Sequence, residues 1–182
     1  GRNSVRFFDP VLQQQAEAKA VLISRLCHAI EEEKLQLYAQ PQIGSSGGRK
    51  VYGVELLARW PDAERGMIPP GIFIPAAEES GLILPLGQWV LHQAVRQLKA
   101  WENDPDRKNW RISINVSVRQ FEDGDCVAGI TELLERYRFR PELLCLELTE
   151  SVLLQHTKEI LHKFSRLREM GFQLSIDDFG TG

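Results

Sequence analysis

Apolar positions recur along the chain with two alternating periods, and the places where the period switches outline the elements. Over 16–34, Leu22, Leu26, Ala29 and Ile30 fall at helical spacing, with Arg25 and the Glu31 to Glu33 run on the polar side, which predicts an amphipathic helix. Two strand-like runs, 35–43 and 51–59, follow around the turn-rich GSSGGRK. A short helix near 73–79 and a longer one over 86–102 come next; in the longer one Leu91, Ala94, Leu98 and Trp101 form the apolar stripe. From there the alternation is regular: strands over 110–117, 143–148 and 172–177, helices over 125–137 and 151–170. Gly171 stands where a helix C-terminal glycine belongs. Strands separated by helices of a dozen or more residues imply right-handed βαβ units and a parallel sheet. The first fifteen residues carry no clear period and read as a linker, 1–15, ahead of one domain over 16–182.

Strand parity locates the candidate chemistry, because successive side chains point to opposite faces. In 110–117, Ile112, Ile114 and Val116 share one face, and Ser113, Asn115 and Ser117 the other. In 172–177, Phe172, Leu174 and Ile176 oppose Gln173, Ser175 and Asp177. Glu147 opposes Leu144, Leu146 and Leu148. In 51–59, Glu55 shares its face with Gly53, Leu57 and Arg59, away from Tyr52, Val54 and Leu56. Four strands therefore aim Glu55, Asn115, Glu147 and Asp177 the same way. Carboxylates in a barrel mouth without partners are penalised, and no lysine in these strands offers to pair with them. A hard divalent cation, Mg²⁺ or Mn²⁺, resolves this, since such ions take oxygen ligands. Asp178 follows at the strand exit, where it joins this site or a second ion. Oxygen ligands at several strand ends fit an α/β fold of the (β/α)₈ barrel type, with its site at the C-terminal rim. Each residue alone has a plainer reading. Asp-Asp-Phe-Gly-Thr-Gly is a turn sequence, Glu147 or Glu150 suits a helix N-terminus, and Asn115 could be a satisfied polar residue in a barrel layer.

Composition narrows the function classes. The 182 residues are 43% hydrophobic and 26% charged, which is globular, and a net charge of −3 argues against broad nucleic-acid binding. No apolar run is long enough to span a membrane, and no signal-peptide pattern opens the chain. Cys27, Cys126 and Cys145 are scattered and odd in number, so they suggest neither disulfides nor zinc; they read as buried small hydrophobes in a reducing cytoplasm. His28, His92, His156 and His162 lie on helical segments without ligand-type neighbours, and Trp89, Trp101 and Trp110 suit the layer between helices and barrel.

Six motifs in order carry a family resemblance. Leu37-Tyr38-Ala39-Gln40-Pro41 resembles the opening strand of EAL domains. Gly53-Val54-Glu55-Leu56-Leu57-Ala58-Arg59-Trp60 resembles the signature segment, with Glu-Leu-Leu for Glu-Ala-Leu. The run from Phe73 to Ile83 is similar to the family's FIPxAExxGLI helix. Asn115-Val116-Ser117, Glu147-Leu148-Thr149-Glu150 and the terminal DDFGTG complete the series, over about 16–182. The resemblance implies hydrolysis of cyclic di-GMP to linear pGpG with Mg²⁺ or Mn²⁺. It implies Glu55, Asn115, Glu147 and Asp177 as metal ligands, Asp178 at a second metal, Arg59 on a substrate phosphate, Gln40 and Leu57 lining the nucleotide site, and Glu150 supporting the loop that starts at Asp178.

The ions would lower the pKa of a bound water and stabilise charge during in-line attack. Leu56, at the signature alanine, has the parity of the helix-facing row and is expected to be tolerated. The family's catalytic lysine, a later metal-binding glutamate and a glutamine fall beyond Gly182. About five of the eight strands of a barrel that takes about 250 residues are present. This chain alone is therefore expected to be inactive and to self-associate, possible homodimers included, through open sheet edges. A non-catalytic cyclic-di-GMP receptor is the alternative, and filled ligand positions favour the enzyme. Residues 1–9 resemble the segment that joins a GGDEF domain to an EAL domain, which implies such a partner domain upstream.

Overall fold

A computed structural model of the protein describes residues 10–44, 50–122, 126–149 and 158–177. The chain opens with α1 (Pro10–Glu31), then β1 (Gln36–Ile43), β2 (Val51–Asp62) and a short β3 (Gly66–Ile68). Helices α2 (Pro70–Ser80) and α3 (Ile83–Trp101) precede β4 (Arg111–Val116), and α4 (Val118–Glu122) and α5 (Cys126–Tyr137) follow it. A 3₁₀ turn (Pro141–Leu143) leads into β5 (Leu144–Thr149), then α6 (Lys158–Glu169) and β6 (Gln173–Asp177). The sheet order is β1-β2-β4-β5-β6, with β3 paired to β2.

The strand pairings β2–β4, β4–β5 and β5–β6 are parallel, as the alternation of strands and helices predicts. β1 instead runs antiparallel to β2, because the turn-rich 44–50 connection is too short to carry a crossover helix. The five strands on this path are arranged as the front of a (β/α)₈ barrel. The helix-facing row is the core: Val54, Leu56, Ile112, Ile114, Val116, Leu144, Leu146 and Leu148 are all buried beneath α3, α5 and α6. Each such aliphatic contributes about 1.5–3 kcal/mol over an exposed position. Leu56 lies in this row at 7% exposure, so the signature-alanine position tolerates its bulk on the side away from Glu55. Ile176 departs from the expected pattern and is exposed.

The differences from the sequence reading are local. α1 starts at Pro10 and not at 16, inside the stretch without clear period. β2 runs on to Asp62, where Asp62 Oδ1 accepts the backbone N–H groups of Glu64 and Arg65 and turns the chain into β3. This Asx turn is what the sequence reading of 60–68 missed. α4 was missed as well, its single turn being too short for periodicity. Gly171, at φ 96°, ends α6 as expected: its N–H reaches the Arg168 carbonyl and that of Phe172 reaches Leu167. Helix residues 151–157 of the sequence reading lie outside the described residues.

The three cysteines correct the reading as buried hydrophobes. All are free, and all are only half-buried. Burial together with the Glu31 carboxylate, which accepts from Cys27, pushes the Cys27 thiol up. The tryptophans pack as expected, Trp101 edge-on to Trp110 at 5.6 Å. Among the described residues His28 and His162 are exposed and His92 is half-buried; His28 sits 3.0 Å from Glu32. No described helix is long and apolar enough to cross a membrane.

Candidate active site

The face opposite the core carries the polar row, and its register is set by the backbone pairing. Gln40 lies directly across from Glu55 in the β1–β2 ladder. Glu55 pairs in register with Ser113, Asn115 with Glu147, Glu147 with Ser175, and Thr149 with Asp177. Glu55, the Asn115–Glu147 pair and Asp177 thus climb the sheet as successive steps of two residues. Such a diagonal is the consequence of strand tilt in a barrel, where positions level with the axis are offset along neighbouring strands.

Asn115 Nδ2 donates to Glu55 Oε1 at 2.7 Å, so these two side chains meet across β2 and β4. Asn115 is exposed, and Glu55 and Glu147 are half-buried. Desolvation of these carboxylates is accordingly milder than a closed barrel mouth would impose, which corrects part of the argument for a cation from burial. What remains is donor chemistry. Glu55 has no ion pair among the described residues, and with Asn115 and Glu147 it presents carboxylate and amide oxygens, the donors that a hard divalent cation takes. Among the described residues no three His, Cys, Asp or Glu side chains gather into a metal-holding group. Two carboxylates and an amide are what this face offers there, and they fit such an ion with water completing its shell. Asp177 is placed by its backbone in β6, while Asp178 and Glu150 lie outside the described residues.

Below this step the polar row is satisfied internally. Ser113, 3% exposed, accepts from Gln42 Nε2 at 3.2 Å. Burial and the Glu147 carboxylate push the Cys145 thiol up, against smaller opposing effects of Ser113 and Arg111, so Cys145 is no thiolate nucleophile at neutral pH. Gly53 is required where it stands: a Cβ there would meet the Arg111 carbonyl oxygen at 2.6 Å.

A cleft of about 310 Å³ between β2, β4 and helices α2 and α3 is lined mostly by apolar side chains, Leu56, Ile74, Ile83, Leu86 and Val90 among them, and also by Leu57, Arg59, Glu78, Asn115, Ser117 and Gln120. Leu57 and Arg59 therefore share one cavity with Asn115, whereas Gln40 does not line it and is placed only by its register across from Glu55. Arg59 is held before any ligand arrives. Its Nη1 donates to the Ala58 carbonyl at 2.9 Å, and its guanidinium lies 5.5 Å from the centroid of the Tyr38 ring.

Comparison with known proteins settles the family. The family model for the EAL domain matches residues 23–182. The chain belongs to the EAL domain family. It is 38% identical over its whole length to the bifunctional diguanylate cyclase/cyclic di-GMP phosphodiesterase MucR of Pseudomonas aeruginosa, of which it covers 26%. It is 38% identical to the oxygen sensor protein DosP of Escherichia coli, covering 22% of it. It is 37% identical to the cyclic di-GMP phosphodiesterase PdeR of the same organism, covering 27%. The chain thus spans about a quarter of the length of these curated relatives.

A solved structure of the MucR phosphodiesterase in complex with c-di-GMP superimposes with a TM-score of 0.81 at 38% identity, over 88% of this chain and 64% of that one. The cGMP-bound EAL enzyme Bd1971 gives a TM-score of 0.84 at 29% identity, over 93% and 47%. Ser117, Gln120 and Glu78 are the polar cleft residues that sequence reasoning gave no role. The signal was present in Ser117-Val118-Arg119-Gln120, which has capping-box spacing.

Proposed function

We propose that the protein containing this chain hydrolyses cyclic di-GMP to linear pGpG in a reaction that depends on Mg²⁺ or Mn²⁺. The observation that carries the reading is the Glu55–Asn115 contact, with Glu147 in register beside it, at the rim of the cleft that holds Arg59. Phosphodiesterase relatives that match across the whole chain support it further.

Glu55, Asn115, Glu147 and Asp177 would hold the first ion and Asp178 the second. A bound divalent ion supplies Lewis acidity and activates water for attack on the phosphodiester. Arg59 contributes a planar pair of donors for a phosphate oxygen edge, already oriented by Tyr38 and the Ala58 carbonyl. Gln40 and Leu57 flank the nucleotide, and Glu150 supports the segment that begins at Asp178. A GGDEF domain upstream is part of this reading. Every ligand position within the chain carries an oxygen donor, which favours an enzyme over a receptor that only binds the nucleotide.

The test is cyclic-di-GMP turnover by the full-length protein. Glu55→Ala is expected to abolish hydrolysis, and chelation of divalent ions to do the same reversibly. Turnover that survives either treatment overturns the reading. Tight nucleotide binding with no turnover at any metal concentration would assign the receptor role instead.

A further inference from the structure

The turn that leaves β4 just beyond Asn115 is tied down from three directions. Ser117 precedes α4 as its N-cap, and Gln120 stands three residues on. One half of the capping box is formed: the Ser117 N–H donates to Gln120 Oε1 at 2.9 Å. The other half would have the serine hydroxyl accept the Gln120 N–H. That N–H instead reaches the Ser117 carbonyl at 3.0 Å, and the hydroxyl donates to Glu78 Oε1 of α2 at 2.6 Å. Arg119 of the same turn donates to the Glu78 main-chain carbonyl. The Gln120 side chain lies against α3 at Gly87, where a Cβ would come within 1.8 Å of its Nε2. One residue of α2, Glu78, therefore grips the turn by both its carboxylate and its carbonyl. Gly87 leaves the space in which the capping glutamine fits.

We propose that Glu78 is a positioning residue for Asn115: through Ser117 it fixes the end of β4, so that the Asn115 amide stays against Glu55 and available to the metal. This rests on the phosphodiesterase reading above. Ser117 lies two residues beyond Asn115, just past the end of β4 at Val116, so a shift of the turn is transmitted to Asn115 through one intervening residue. Partners that orient a ligand without touching the metal commonly govern metal affinity by about 10–100-fold when lost.

The experiment uses the full-length protein and three readouts: Mn²⁺ affinity from the electron paramagnetic resonance of the free ion, hydrogen exchange over residues 116–120, and the split between kcat and KM. Glu78→Ala and Ser117→Ala are each expected to weaken Mn²⁺ binding by about 10-fold or more. The double variant should be no weaker than either single one, because both remove the same contact. Glu78→Gln, whose amide oxygen still accepts from Ser117, should bind Mn²⁺ as the parent does. Exchange over 116–120 should quicken in Glu78→Ala, and kcat should fall at sub-saturating metal while the substrate KM holds.

A rise in KM with parent Mn²⁺ affinity would mean that Glu78 contacts the nucleotide directly, which overturns the proposal. Parent affinity together with parent exchange in Glu78→Ala overturns it as well. Asn115→Ala separates the two readings. If that variant also binds Mn²⁺ normally, the metal assignment fails, and the exchange measurement alone decides whether Glu78 holds the turn.

Discussion

On β4 and β5 the residues that face the helices, Ile112, Ile114, Leu144 and Leu146, are at most 2% exposed, while their neighbours on the other face include exposed Asn115 and half-buried Glu147. The backbone is the same, and a shift of one residue along it moves from core to candidate site. The helix face is chosen for volume, and any well-packed aliphatic serves, as Leu56 shows. The opposite face is chosen for donor type and placement, and its members gain little from burial. Parity therefore separates what stabilises the domain from what it does, and substitutions one residue apart should fall into different classes.

The largest expected difference is between Leu146→Ala and Asn115→Ala. Leu146 is fully buried, and its truncation should cost about 2–5 kcal/mol in transfer and cavity terms. Asn115→Ala should cost less than about 1 kcal/mol, in line with an exposed side chain that loses one hydrogen bond, and yet remove metal binding. Denaturant midpoints of the two variants check this. Equal destabilisation would end the separation of faces.

Gly53 is the position where the comparison should break. It lies on the candidate-site face, but a Cβ there would meet backbone, the Arg111 carbonyl oxygen at 2.6 Å, which cannot swing aside as a side chain could. Gly53→Ala should therefore destabilise by about 1–3 kcal/mol, like an overpacked core position. An unaltered midpoint would mean that β2 and β4 can separate locally to admit a methyl group.

How much of this was legible in the sequence follows from the same contrast. Periodicity of two and periodicity of 3.6 are strong local signals, so β4, β5 and α3 were legible, with their faces. That Glu55, Asn115 and Glu147 share a face was readable from parity alone. Their diagonal stagger was not, because register depends on pairing partners distant in sequence. The antiparallel sense of β1, by contrast, follows from the short 44–50 connection, a local feature that the alternation of strands and helices masked. Glu78 escaped because its partner Ser117 lies 39 positions away. The half of that contact which is local, the Ser117–Gln120 cap, was there to be read. β3 was lost in an Asx turn organised by one side chain, Asp62.

Asp62 also supplies the smallest expected effect, at a place where neither face rule applies. It stands at the end of β2, and Arg25 of α1 bridges it at 2.5 Å and Glu64 at 2.9 Å. Desolvation would raise the Asp62 carboxyl. The backbone N–H groups of Arg65 and Glu64, with the Arg25 guanidinium, outweigh it and hold the group below the usual carboxylate range. A depressed folded pKa contributes stability that is fully present above the unfolded value, about 3.9. That contribution is lost as the pH falls through the folded pKa. Asp62→Asn keeps an oxygen for the two backbone donors but cannot titrate, so its stability should decline less steeply below about pH 4 than that of the parent. Glu32 and Glu142, whose carboxyls Lys34 and Arg140 hold low, should keep part of the slope in both proteins. Thermal melts between pH 3 and 6, whose window brackets about 3.9, read the difference. Parallel curves would show that α1 is held by packing of Leu26 and Ala29 into the core alone, and that the charge cluster at the hairpin is incidental.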